Sequence, residues 1–161
     1  MTALDHRDIE ILRLLQQDAK ISIKKIGERI SLSPTPVYER IRRMERMGII
    51  KGYTAVIDRH KVGLKLPVFC RVSLQLHTRK HINKFERFIE QTPEIQEAYH
   101  IAGDYDYLLK VLVKDSNEYH DFIINSLSRL DVVGTVQSNF VMYETKTGRG
   151  IPLDKAESAR R

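Results

Sequence analysis

Cysteine is nearly absent. Cys70 is the one cysteine in 161 residues, so no disulfide can form within the chain, as expected in a reducing, cytoplasmic compartment. Long apolar runs are missing too. None approaches the roughly 20 residues that span a bilayer, and Met1 to Asp8 is polar, without the apolar core of a signal peptide. The expectation is therefore neither secretion, nor membrane insertion, nor a disulfide scaffold. Catalytic signatures are also lacking: no glycine-rich phosphate cradle, nucleophile elbow or Ser/His/Asp set is recognisable. His77 and His81 stand four apart, but they straddle a predicted strand end and no Cys or carboxylate nearby completes a metal set. Asp104 and Asp106 share one turn without a supporting His or Lys pattern, a weak catalytic signal. The chain reads as a non-enzyme without a metal or cofactor.

What is present is charge, distributed unevenly. Hydrophobic residues make up 42% and charged residues 30%, enough for a core and a solvated surface, and the net charge is +6. Residues 1–65 carry 14 Lys and Arg against 8 Asp and Glu, while residues 66–161 carry 13 of each. The whole surplus lies in the first part, which suggests a nucleic-acid-binding half joined to a neutral half with another task.

That basic half has a three-helix pattern. Leu4 to Asp18 carries an apolar stripe of Ile9, Leu12 and Leu15, with Asp5 as N-cap and Asp8 in the acidic first turn. Ile23, Ile26 and Ile30 define a second helix after Ser22. Gly27 lowers its helix propensity by about 1 kcal/mol relative to Ala and leaves room for another helix to approach. Ser33 as N-cap and Pro34 at the first helical position start a third helix, which runs to about Met47 and stops at Gly48. Ile49 to Ile57 reads as two short extended pieces bent at Lys51-Gly52. Helix, helix, tight turn, helix and hairpin make a winged helix-turn-helix, whose third helix would enter the major groove.

On the third helix Val37, Ile41 and Met44 share the buried face, and Thr35, Glu39, Arg42, Arg43 and Arg46 point away from it. Ser33, Thr35 and Pro36 would sit nearest base edges or phosphate, where helix N-terminal amides favour anions. Arg42, Arg43 and Arg46 would neutralise phosphates or reach guanine. Tyr38 would pack on sugar or a thymine methyl, or else flank the core. Glu39 would pair with Arg42 or Arg43 and orient them, or accept from cytosine.

The segment Leu32 to Asp58, LSPTPVYERIRRMERMGIIKGYTAVID, resembles the Lrp/AsnC family of bacterial and archaeal transcription regulators. Leu4 to Leu12 resembles that family's first helix, and Ala102-Gly103-Asp104-Tyr105-Asp106-Tyr107 resembles its second motif, so the likeness spans about residues 3 to 146. Ser31 departs from the family's usual Gly in the turn. If that position needs a positive φ, a side chain there costs about 1 kcal/mol or more.

The neutral half reads as alternating strands and helices. Pro67 to His77 places Val68, Cys70, Val72, Leu74 and Leu76 on one face, with Cys70 a small buried hydrophobe. Ile82, Phe85, Phe88 and Ile89 mark a helix, Glu94–Ile101 and Tyr105–Val113 two strands, Tyr119 to Leu130 a helix, and Val132–Tyr143 a last strand. This βαββαβ order is ferredoxin-like. The expected fold is α+β: a winged helix-turn-helix over 1–52, a connecting segment over 53–65, a ferredoxin-like domain over 66–146 and a flexible basic tail over 147–161.

The resemblance implies that this second domain makes a homodimer through its sheet, with octamers of dimers left open, and binds a small molecule, usually an amino acid, between subunits. The implied effector residues are Gly103, Asp104, Asp106, Thr135 and Ser138, with His100 as a more polar wall than expected. Asp104 and Asp106 would receive an α-amino group. The function so read is a sequence-specific DNA-binding transcription regulator tuned by an amino acid. The alternative is an architectural DNA-binding protein with no effector.

Overall fold

The computed structural model describes residues 4–148 and 150–153, arranged as two units. One comprises residues 1–56 and 146–161, the other 57–145. Three helices build the first: α1 (His6–Gln17), α2 (Ile23–Ile30) and α3 (Pro34–Arg46). Asp5 caps α1 through a reciprocal capping box, in which its side chain accepts from the Asp8 amide and Asp8 accepts from the Asp5 amide. The expected apolar stripes meet in one core of Ile9, Ile11, Leu12, Ile26, Ile30, Val37, Ile41 and Met44.

The tight turn between α2 and α3 explains two sequence features. Ser31 lies at φ 55°, ψ 49°, in the left-handed region, so the turn does require the conformation for which glycine is suited. Gly27 is needed for a different reason from the expected one. A Cβ there would collide with the backbone carbonyl of Leu32, so the turn itself, and not a neighbouring helix, makes the close approach. Ser33 occupies the N-cap of α3 but makes no side-chain capping bond. The fixed φ of Pro34 at the first helical position initiates the helix without one.

Two further expectations need correction, the hairpin and the wholly free tail. Ile49 to Ile57 forms no hairpin ladder, because the amides of Ile49 and Ile50 both donate to the Met44 carbonyl and fold the chain back on the end of α3. The 53–65 connector is divided between the units at Val56/Ile57. Within the second unit Arg59 fixes it by donating to the Leu64 and Lys65 carbonyls and pairing with Glu144 at 2.9 Å. The 147–161 stretch is not all free tail: Leu153 is buried in the core of the first unit, and the Ile151 amide donates to Gln16 Oε1 at 2.7 Å. The apolar side chain of Leu153 gives that segment something to bury. Arg149, Lys155, Arg160 and Arg161 lie outside the described residues.

The second unit is the expected βαββαβ: β1 (Leu66–Leu74), α4 (Arg79–Gln91), β2 (Ile95–His100), β3 (Tyr107–Val113), α5 (Ser116–Asn125) and β4 (Val133–Phe140). Helix α5 ends earlier than the apolar spacing suggested, and Leu127–Arg129 forms a 3-10 turn. The sheet is antiparallel in the order β2-β3-β1-β4. Val68, Cys70, Val72, Leu109, Val111 and Val113 bury one face against Phe85, Tyr119 and Phe122 of the helices. At the Cys70 position the thiol sits 3.1 Å from the Tyr119 hydroxyl, and burial raises its pKa. A buried, protonated thiol is a packing group and not a nucleophile.

Candidate functional sites: a basic helix face and one end of the sheet

Helix α3 presents two kinds of arginine. Arg46 and Arg42 are exposed, as are Thr35, Tyr38 and Glu39, and Pro36, Tyr38, Glu39, Arg42 and Arg46 edge one surface depression together with Arg40 and Arg43. Arg42 pairs with Glu45 at 2.9 Å, and Glu45 also accepts from the Tyr53 hydroxyl at 2.9 Å. Tyr53 thereby ties the segment after α3 to the helix's last turn. Ser33 and Thr35 lie exposed at the helix start, where free amides favour an anion.

Arg43 turns inward. Its Nη2 donates to Asp8 Oδ2 at 2.5 Å, while Arg40 Nη1 donates to Asp8 Oδ1 at 2.8 Å and to Asp5 Oδ2 at 2.5 Å. Asp8 is fully buried, so a lone carboxylate there would be costly, and two guanidiniums together with the Asp5 amide balance it. This corrects two expectations. Arg43 spends its guanidinium on the α1–α3 joint and is only partly exposed at the edge of the basic face. Glu39 makes no ion pair among the described residues, because Arg42 goes to Glu45 and Arg43 to Asp8. Arg40 is the residue that sequence reasoning missed. The available signal was Asp8, a carboxylate one position before Ile9 on the helix's apolar side.

The second candidate site lies where β1 and β2 end and β3 and β4 begin. Antiparallel pairing brings these four strand ends together: Val72 opposes Tyr107, His100 opposes Tyr107, and Ser73 opposes Thr135. The β2–β3 loop closes over this end. Gly103 has a φ of 140°, open to glycine and strained for other residues. The Asp104 carbonyl accepts from Ser73 Oγ at 3.4 Å.

Asp106 is held tightly. Its amide donates to the Val72 carbonyl at 3.0 Å, and its carbonyl accepts from the Ile101 amide at 2.8 Å. Its carboxylate takes the Leu74 amide on Oδ2 and the His77 ring on Oδ1, each at 2.7 Å. Burial acts to raise this carboxyl, but the Leu74 amide and the His77 ring outweigh it and hold it below the usual carboxylate range. His100 stacks on Tyr107, with ring centroids 4.7 Å apart and planes 12° from parallel.

Gly103, Asp104, Asp106, His100 and Thr135 thus come to one end of the sheet. Ser138 does not. Period-two alternation sends it to the helix-covered face, beside Cys70, where its Oγ accepts from the Tyr119 hydroxyl at 2.5 Å. Ser73 and His77 are the residues at this end that sequence reasoning did not assign to it. Among the described residues no group of His, Cys, Asp and Glu is arranged to hold a metal ion, and no helix is long and apolar enough to cross a membrane.

Comparison with known proteins agrees with both units. Residues 4–51 match the model for a winged helix-turn-helix DNA-binding domain, and residues 67–151 match that for the Lrp/AsnC ligand binding domain. The chain is 35% identical to the transcriptional regulator AzlB of Bacillus subtilis over 94% of its own length and 97% of that protein's. It is 39% identical to the leucine-responsive regulatory protein of Escherichia coli, over 89% of its length and 87% of the relative's. A transcriptional regulator of Neisseria meningitidis, solved as a complex with L-methionine, superposes with a TM-score of 0.92 at 31% identity, covering 96% of this chain and 99% of that one. The two units, in this order and over nearly the whole chain, make it a member of the Lrp/AsnC family of transcription regulators, with a helix-turn-helix DNA-binding domain followed by a ligand-binding domain.

Proposed function

We propose that the chain reads duplex DNA through α3 and that an amino acid, bound at the strand-end site, changes that reading. Ser33, Thr35 and Pro36 would approach the groove first, with Tyr38, Glu39, Arg42 and Arg46 following along the exposed face. Arg43 would act from behind, by fixing α3 on α1. The chain would work as a homodimer in the cytoplasm, where its DNA is, and on a roughly palindromic site, because paired helix-turn-helix units read paired half-sites. Higher assembly of dimers is compatible with this reading.

The effector would be an amino acid whose ammonium group meets the Asp106 carboxylate and whose carboxylate meets backbone amides of the Gly103–Asp104 loop, with Thr135 and His100 alongside. The single observation that carries this is Asp106: an ionised carboxylate, fixed by the sheet backbone, at the mouth of a glycine turn. The L-methionine complex of the Neisseria meningitidis relative supports the same ligand class. Binding that differs between assembly states would alter DNA affinity, and DNA would alter effector affinity by the same factor.

The test is a thermal-shift panel of the common amino acids. A ligand that binds only the folded state stabilises it by about 2.7 kcal/mol at 100 times its dissociation constant. One or two amino acids should raise the melting temperature of the wild type, and Asp106→Asn should abolish that rise. A panel without any shift contradicts the effector reading and leaves an architectural DNA-binding protein.

A further inference from the structure

Four polar groups engage Asp106, and they are not equivalent. Three are backbone groups of the sheet: the Val72 carbonyl, the Ile101 amide and the Leu74 amide. The fourth is the imidazole of His77, whose Nε2 lies 2.7 Å from Oδ1. The Val72 and Ile101 bonds are made to the Asp106 backbone and leave its carboxylate free, and the Leu74 amide comes from the end of β1. The His77 contact can exchange, because its side chain is 70% exposed and stands in the short turn between β1 and the Thr78 cap of α4. Oδ1 therefore carries an exposed, mobile partner that an incoming ammonium can replace.

We infer that His77 is a built-in competitor for the effector's ammonium group: it occupies Asp106 Oδ1 in the ligand-free protein and gives way when an amino acid binds there. This rests on the effector reading given above. A protonated imidazole holds a carboxylate more strongly than a neutral one, since a charge-assisted hydrogen bond is roughly twice as strong. Charging the His77 imidazole therefore weakens effector binding. The other charged or titratable groups facing Asp106 are His100 at the end of β2 and the Tyr107 hydroxyl, which donates to Glu86 of α4 at 3.3 Å. His100 stacks on Tyr107 and makes no hydrogen bond to Asp106 among the described residues. Its charge acts on the carboxylate only through space, so His77 carries most of the competition.

Calorimetric titration of the full chain with each of the twenty common L-amino acids, at about pH 8 and about pH 5.5, tests this. For an amino acid that binds, wild-type affinity should fall by about tenfold or more between the two pH values. The His77→Ala variant should bind more tightly than wild type, with a pH change of less than about threefold. The His77→Gln variant keeps a neutral donor and cannot charge, so it too should lose the pH dependence. Equal affinity and equal pH dependence in wild type and His77→Ala overturn the competitor role while leaving the effector site standing. No binding by wild type or either variant at either pH overturns the effector reading, and the competitor role with it.

Discussion

Arg43 of the DNA-facing helix spends its guanidinium on Asp8 of the first helix, at 2.5 Å, rather than on the solvent that Arg42 and Arg46 face. The basic surface of α3 is thus split between contacts that hold the helix and contacts left for a partner. The two classes separate by experiment. Arg43→Ala leaves the buried Asp8 with Arg40 as its one guanidinium, beside the Asp5 amide, and should destabilise the helical unit by about 2 kcal/mol, below the roughly 3–5 expected when a buried charge loses its last partner. Arg46→Ala should leave the melting temperature unchanged within a degree or two and reduce the slope of log affinity against log salt by about 1. Thermal melts together with salt-dependent DNA titrations distinguish them; identical behaviour of the two variants contradicts the division.

Ser31 holds a left-handed conformation in the turn before α3. Replacing it with glycine should stabilise the helical unit by about 1 kcal/mol, because glycine removes the Cβ clash of that region. Chemical denaturation measures this directly. A neutral or negative effect of Ser31→Gly would mean that the serine makes a compensating contribution in the folded turn.

Leu153 is 6% exposed and packs with the α1–α3 core. Leu153→Ala should destabilise that unit by about 2–3 kcal/mol, in the range of buried leucine truncations. Ile151, which is 73% exposed, should tolerate alanine. Equal, small effects at both positions would show that the segment does not contribute to the core in solution.

The first helix carries its own pH dependence. At Asp5 burial favours the neutral acid, but the Arg40 hydrogen bond and the Asp8 amide more than offset it, so the folded carboxyl lies below the ordinary aspartate range. A folded pKa lower than the unfolded one stabilises at pH above the unfolded value, and that stabilisation disappears as pH falls through the folded value. The melting temperature of the helical unit should be flat from about pH 7 to about pH 5 and decline below about pH 4. Asp5→Asn should shrink that decline, and a variant with the wild-type profile would remove Asp5 from the account.

Regular periodicity made most of the fold legible in the sequence. The apolar stripes of α1 to α3 and the alternation of Val68, Cys70, Val72 and Leu74 each name a buried face, and the structure buries those faces. What the sequence did not disclose depends on contacts between distant residues. Arg43 and Arg46 lie three apart on one helix and look equivalent until α1 supplies Asp8. Thr135 and Ser138 look like neighbours on one strand, but an odd spacing places them on opposite faces, and only the register with Cys70 fixes which face is covered. His77 reads as a surface histidine because its partner Asp106 is 29 residues away and comes near it only through the β1–β3 pairing. The missing hairpin after α3 turns on two amides, Ile49 and Ile50, that the Met44 carbonyl claims first.

The account's central claim is that the exposed face of α3 reads DNA selectively. The most direct measurement is fluorescence anisotropy with a duplex from the region upstream of the protein's own coding sequence and with a scrambled duplex of equal length, for wild type and Arg46→Ala at several salt concentrations. The account predicts that wild type prefers the upstream duplex by about a thousandfold, within the range of specific over non-specific binding, and that Arg46→Ala binds both more weakly with a shallower salt dependence. Equal affinity of wild type for the two duplexes, with no effect of Arg46→Ala on either, would contradict it.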